Sequence, residues 1–200
     1  MKNNKKVIRC FIITAVFIFT ASPVFSNDSL KSDNCFKLKE FGVFSGWGEG
    51  KLIAQDHLQV IPLFLQFGFD MKPILSKIKI KLKGDVNFVL EPLLNTVISP
   101  NNNVELGCNF MVKYSFPLIN KLHLYLEAGP GLLYGTQHIN KQSTQFNFSE
   151  QAGAGLKFYF SANKAINFGY RFRHFSNAGI KEPNHGVNTD LFLCGLTISY

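Results

Sequence analysis

The sequence lacks helical periodicity. After residue 26, no stretch repeats its apolar residues at the three-to-four spacing of an amphipathic helix, which excludes helical bundles and βαβ folds. Long hydrophobic runs are also missing. The apolar run from Cys10 to Thr20 is too short to cross a bilayer as a helix. Cysteine is scarce, with four in 200 residues. Cys10 lies inside the early apolar run and is not placed like a lipoprotein cysteine. Cys35, Cys108 and Cys194 remain, an odd and scattered set that makes a poor disulfide framework. Cys108 and Cys194 fall on apolar faces of alternating segments, where a free thiol behaves as a small hydrophobe. There is no zinc-ligand spacing and no basic helix, so neither a metal site nor a nucleic-acid partner is expected. Internal repeats and low-complexity tracts are absent, and one domain accounts for the chain.

The first residues are different in kind. Lys2, Lys5, Lys6 and Arg9 precede the apolar run, and Val24-Phe25-Ser26 supplies small residues around a cleavage point. Residues 1–26 therefore read as a secretory signal cleaved after Ser26, with one domain over 27–200. Without the signal the formal charge falls from +8 to +4. That leaves only a weak attraction to anionic headgroups.

The dominant pattern has period two. Ile78, Ile80, Leu82, Val86, Phe88 and Leu90 alternate with Lys77, Lys79, Lys81, Lys83, Asp85 and Asn87. Five further segments, near 104–116, 122–129, 145–160, 166–173 and 192–200, alternate in the same way. Two earlier strands are less regular. One is Phe41 to Glu49, and the other is roughly Gln59 to Asp70 with Pro62 inside it. The total is about eight strands.

Two architectures compete. A soluble periplasmic β-sandwich buries its apolar face, whereas a membrane barrel turns that face outward. The strands reach about ten residues, the length a tilted membrane strand needs. The polar face combines glycine with charges of both signs. Lys79, Lys81, Asp85, Glu105, Glu127, Arg171 and Arg173 can pair inside a narrow lumen. The apolar face carries large aromatics. The expected fold is all-β: an eight-stranded antiparallel up-and-down transmembrane β-barrel in the outer membrane. Short periplasmic turns should alternate with outward loops near Gly50–His57, Ser99–Asn103, Thr136–Ser143 and Ala178–Val187.

One pair of residues stands out on that scheme. His174 and Ser176 continue the parity of Ile166, Phe168, Tyr170 and Phe172, so they share the lipid-facing side at the outer end of the seventh strand. Two polar groups on such a face cost free energy unless they are hydrogen-bonded, lie at the headgroup level or serve a purpose. A histidine and a serine on one face can act as base and nucleophile when a third group orients the histidine.

The surrounding residues carry a longer pattern. His174-x-Ser176-Asn177-Ala178-Gly179 and Lys181-x-Pro183-Asn184-x-Gly186 closely resemble the C-terminal signature of the lipid A 3-O-deacylase (PagL) family. Leu126-Glu127-Ala128-Gly129-x-Gly131 and Asn147-Phe148-x-Glu150-x-x-Gly153-Ala154-Gly155-Leu156-Lys157-Phe158 also look like that family. The likeness is strong from about Leu122 to Tyr200 and faint before. It implies an eight-stranded outer-membrane barrel that hydrolyses the ester at the 3-position of lipid A by Ser–His–acid catalysis on its outer wall, with no metal or other cofactor. It implies Ser176 as nucleophile, His174 as general base, and Asn177 with nearby backbone N–H groups at the oxyanion. Gly179 and Gly186 would free the loop, although Gly186 reads equally well as ordinary turn chemistry.

The chain departs from that pattern at one position. The family's acid falls fourteen residues after the histidine, which here is Asn188. An amide can fix the imidazole tautomer but cannot offset its charge. Asp190, on the last strand, and Glu150, on the other neighbour of His174, are the alternative acids. The expected function is therefore an outer-membrane carboxylic-ester hydrolase. Its rival is a small structural or adhesive barrel with weak or no activity because of Asn188. Expected partners are lipopolysaccharide as substrate and outer-membrane lipid as surroundings, with a homodimer left open. His123 reads as a lumen filler, His57, His138 and His185 as solvated loop residues, and Trp47 as interfacial.

Overall fold

The structure is a computed structural model that describes residues 36–53, 56–80 and 82–200. The expected signal over 1–26 and Cys35 lie outside the described residues. Among the described residues nine strands follow one another: β1 (Leu38–Gly50), β2 (Leu58–Ile61), β3 (Leu63–Asp70), β4 (Asp85–Ser99), β5 (Asn103–Ile119), β6 (Leu122–Gly135), β7 (Phe146–Tyr159), β8 (Lys164–Ser176) and β9 (Val187–Ser199). From β3 onward each strand pairs antiparallel with the next, and β1 pairs with β9 along Glu40–Gly50, which closes the sheet on itself.

β2 and β3 are two halves of one wall. Gly48 pairs with Val60 and Ser45 with Leu63, so the register is the same on both sides of Pro62. Proline has no N–H to give the ladder, and the break is confined to it. Its carbonyl accepts a hydrogen bond from Ser45 Oγ at 2.7 Å. The barrel is therefore a ring of eight walls, as the alternation requires. Among the described residues no helix is long and apolar enough to cross a membrane; the chain crosses with strands.

Burial settles which face is which. Leu106, Phe148, Leu156, Phe168, Tyr170 and Phe192 are exposed on the outside. Glu40, Glu91, Glu105, Lys113, Arg171 and Arg173 are buried inside. This inversion excludes the sandwich. Arg171 spans Glu91, with Nη1–Oε1 at 2.5 Å, and Glu127, with Nη2–Oε1 at 2.7 Å. Arg173 holds Glu105 at 2.8 Å, and Lys113 and Lys157 share Glu40. Buried charges survive only when paired and hydrogen-bonded. Gln66 and Asn109 donate to the two Glu91 oxygens at 2.6 and 2.7 Å, which supplies the rest. Arg171→Leu would strand two carboxylates in a closed lumen. It should destabilise the barrel by about 3–5 kcal/mol, read from urea unfolding in detergent; an unchanged midpoint would mean the lumen is wet and the pairs are worth little.

The lumen is not polar throughout. Towards the end that carries the long loops, Phe44, Phe64, Leu133, Phe175, Val187 and Leu191 form a dry cluster inside the ring. Sequence alternation alone did not show it, because around Phe44, Phe64 and Leu133 the chain is apolar on both faces. Phe175, Val187 and Leu191 lie on β8 and β9, so this cluster backs the wall that carries His174.

The structure corrects the reading of residues 77–84. They do not begin a strand, and the turn between β3 and β4 is long. It holds a short helix, α1 (Lys72–Lys77), with proline in its first turn. Asp70 Oδ1 accepts the Lys72 N–H at 2.9 Å, and Asp85 takes Lys72 Nζ at 2.8 Å and Lys39 Nζ at 3.2 Å. Lys79 has φ of 62°, which breaks the alternation. Lys79 therefore does not face the lumen, Lys81 lies outside the described residues, and Asp85 pairs at the mouth rather than inside. The other turns at this end are short, as expected. The loops at the opposite end fall where the alternation puts them.

Candidate active site

β8 carries His174 and Ser176 to its outer end with both side chains half-exposed on the outer wall. Register then fixes their neighbours. His174 stands directly across from Asn188 on β9 and from Glu150 on β7, and Ser176 across from Phe148. Side chains opposite one another on one face of an antiparallel pair lie about 4.5–5.5 Å apart at Cβ, within hydrogen-bonding reach. His174 Nδ1 and Asn188 Oδ1 are 2.6 Å apart. An amide oxygen only accepts, so this contact requires the proton on Nδ1. In the neutral ring Nε2 is then the nitrogen free to accept a proton.

The two alternative acids are placed differently. Asp190 lies one outward position further along β9, across from Phe172 on one side and Glu49 on the other. Its Oδ1 accepts a hydrogen bond from Tyr170 Oη at 2.5 Å, and Glu49 pairs with His57 at 3.3 Å. Glu150 is exposed beside His174 in register but makes no hydrogen bond to it among the described residues. The structure thus joins His174 to Asn188 and to neither carboxylate.

Asn177 is turned away from the wall. It is fully buried, with Nδ2 donating to the Lys181 carbonyl at 2.7 Å and to Ser143 Oγ at 3.4 Å. Its Oδ1 accepts the Gly179 N–H at 3.0 Å, and its own N–H donates to Asn184 Oδ1 at 3.0 Å. Its donors are spent on holding the loop, so it is poorly placed for an oxyanion. A different donor lies close by. The Ala178 N–H points to Ser176 Oγ at 3.4 Å. Ala178 has φ of 53° and Gly179 φ of 76°. A left-handed conformation at a residue with a Cβ costs about 1–2 kcal/mol, and the bonds of Asn177 hold the loop in it.

The loop between β6 and β7 clamps the loop between β8 and β9. Gln142 Oε1 accepts the Gly186 N–H at 3.1 Å, Ser143 N–H donates to the Pro183 carbonyl at 3.0 Å, and Ser143 Oγ donates to the Lys181 carbonyl at 2.7 Å. Sequence reasoning missed Gln142 and Ser143. Nothing local marks them, and strand pairing alone brings the two loops together.

Gly186 has a specific role that turn chemistry does not describe. A Cβ built there would lie 2.5 Å from His174 Cε1 and 2.9 Å from Nε2, and φ is +66°. A side chain there would strain the left-handed backbone and displace the end of the imidazole. Gly186→Ala should push the ring off its Asn188 contact and cut ester hydrolysis at least about tenfold, a 1.4 kcal/mol loss of transition-state stabilisation. Heat-modifiable gel migration is the folding control; full activity would mean the ring moves freely. Among the described residues, no three His, Cys, Asp or Glu side chains gather as a metal site would require.

Comparison with known proteins gives the family. The sequence model of the lipid A 3-O-deacylase (PagL) family matches residues 61–197. The lipid A deacylase PagL of Pseudomonas aeruginosa is 38% identical over 68 residues, covering 32% of this chain and 37% of that protein. Its counterpart from Bordetella bronchiseptica is 39% identical over 67 residues, covering 32% of this chain and 35% of that one. The matched stretch thus spans little more than a third of the curated relatives. The crystal structure of the outer membrane enzyme PagL superimposes with a TM-score of 0.58 at 21% identity, over 80% of this chain and 99% of that one.

Proposed function

This outer-membrane β-barrel belongs to the lipid A 3-O-deacylase (PagL) family, and from that premise we propose that it hydrolyses the 3-O-linked acyl ester of lipid A with Ser176 and His174. We take the end carrying the site to face outward, so that both residues meet the outer leaflet, with residues 1–26 removed on secretion. The observation that carries the reading is the 2.6 Å contact between His174 Nδ1 and Asn188 Oδ1, made on the outer wall beside Ser176.

The steps follow from the groups present. Ser176 Oγ attacks the ester carbonyl while His174 Nε2 takes its proton. The carbonyl oxygen becomes an oxyanion, and the backbone donor we assign to it is the Ala178 N–H, which in the resting site donates to Ser176 Oγ at 3.4 Å. His174 returns the proton to the departing sugar oxygen as the C–O bond breaks. Water, deprotonated by the same Nε2, then attacks the acyl-serine, and His174 passes that proton to Ser176 Oγ as the ester bond breaks and the fatty acid leaves.

Asn188 changes the strength of this arrangement, not its geometry. In a serine triad the amide replacement is harmful chiefly because it selects the wrong tautomer. Here Oδ1 faces Nδ1, which keeps Nε2 available. What is missing is the negative charge that would stabilise the imidazolium in the transition state. That shortfall is the specific support for the second reading, a barrel of the same scaffold with a structural or adhesive role. The two part in a direct assay. Purified protein in vesicles containing lipopolysaccharide should release free fatty acid; no release over many hours, with the barrel folded, favours the second.

A further inference from the structure

The corrected segment between β3 and β4 has an unusual surface. Ile78, Ile80 and Leu82 are 61%, 45% and 49% exposed, and they alternate in sequence with lysines at 77, 79, 81 and 83. Large aliphatic side chains left this open beside lysines are not a soluble surface. Both acidic groups of the turn are already engaged: Asp70 by Lys39, and Asp85 by Lys39 and Lys72. Among the described residues, Lys79 and Lys83 are exposed and form no ion pair.

Position says what covers this surface. The segment lies at the end of the barrel opposite His174. Its last part is fastened to the outer wall, where Tyr114 Oη donates to the Lys83 carbonyl at 2.5 Å. A Cβ at Gly84 would meet the Ser115 carbonyl oxygen at 2.2 Å, so the chain runs tight against β5 there. Around it stand aromatic rings that mark a membrane boundary. Phe36 contacts Phe69 at 5.9 Å and Phe88 at 5.8 Å, and Tyr114 contacts Phe116 at 5.3 Å. The exposed aliphatic residues therefore lie next to the point where the segment joins the outer wall.

We propose that Ile78, Lys79, Ile80, Leu82 and Lys83 form a lipid-binding edge that inserts Ile78, Ile80 and Leu82 among acyl chains and sets Lys79 and Lys83 on the phosphates of anionic phospholipid. With the site end facing outward, that leaflet is the periplasmic one. The edge would hold the barrel at a fixed depth and so keep His174 and Ser176 level with the ester region on the opposite side. Apolar insertion and lysine–phosphate attraction add, each lysine near an anionic surface strengthening binding about fivefold.

The test is hydrogen exchange on the full-length barrel in phosphatidylcholine nanodiscs with and without phosphatidylglycerol. Amides of residues 78–83 should exchange at least about tenfold more slowly when phosphatidylglycerol is present. Lys79→Gln with Lys83→Gln should remove that difference, and Ile78→Ser with Ile80→Ser should remove the protection altogether. Neither pair touches the site, so lipid A hydrolysis in detergent should stay as in the unmodified protein. Equal protection in both lipids would overturn recognition of anionic headgroups. Rapid exchange in both lipids would overturn the lipid edge itself. Protection that follows the protein-to-lipid ratio instead would make the segment a contact between two copies of the chain, which also overturns it.

Discussion

Ser176→Ala and His174→Ala should each lower ester hydrolysis by on the order of 10³ to 10⁶ without unfolding the barrel. Both side chains lie on the outer wall, outside the lumen packing, so neither change opens a cavity. The double variant should be no worse than either single one, because a nucleophile without its base and a base without its nucleophile fail at the same step. Fatty acid release measured on all three, with heat-modifiable migration as the folding control, checks this. Near-normal release by Ser176→Ala would reject the nucleophile. Losses that multiply in the double variant would reject the pair acting as a unit.

Asn188→Ala should be the next most damaging change. It removes the acceptor that fixes the imidazole among the described residues, and a loss of about 10² to 10⁴ is expected by comparison with a misoriented triad histidine. Asn188→Glu should do the opposite. A carboxylate at 188 keeps the acceptor and adds charge, and charged hydrogen bonds are roughly twice as strong as neutral ones, so a gain of about tenfold is expected. Asp190→Asn and Glu150→Gln should matter little, since Asp190 is held by Tyr170 and Glu150 makes no bond to His174 among the described residues. Should either of those two prove damaging while Asn188→Ala is harmless, the charge comes from that carboxylate. If all of them are harmless, the site is a Ser–His dyad.

The wall carrying the site was legible in sequence because β7, β8 and β9 alternate without interruption. Parity alone placed His174, Ser176, Asn188, Asp190 and Glu150 on one face, and strand pairing follows from adjacency. Which of the three candidates meets His174 was not legible, because that depends on register and rotamer. The loop bonds of Asn177 were not legible for a related reason. It follows Ser176 by one residue, so its side chain turns inward and serves the loop. The β3–β4 turn was misread because Lys77–Leu82 alternates like a strand. What stops it is tertiary: Asp85 draws Lys72 in, α1 forms, and the backbone turns left-handed at Lys79. The inner apolar cluster of Phe44, Phe64 and Leu133 was hidden by walls with no polar face to count.

The measurement that bears most directly on the proposed activity is mass spectrometry of lipid A from a Gram-negative host lacking its own deacylase, with and without this protein. Expression should produce a species lighter by one ester-linked acyl chain, lost from the 3-position, and Ser176→Ala expressed to the same level in the outer membrane should not. An unchanged lipid A spectrum with the folded protein present in that membrane would contradict the hydrolase and leave a structural barrel built on the family's scaffold.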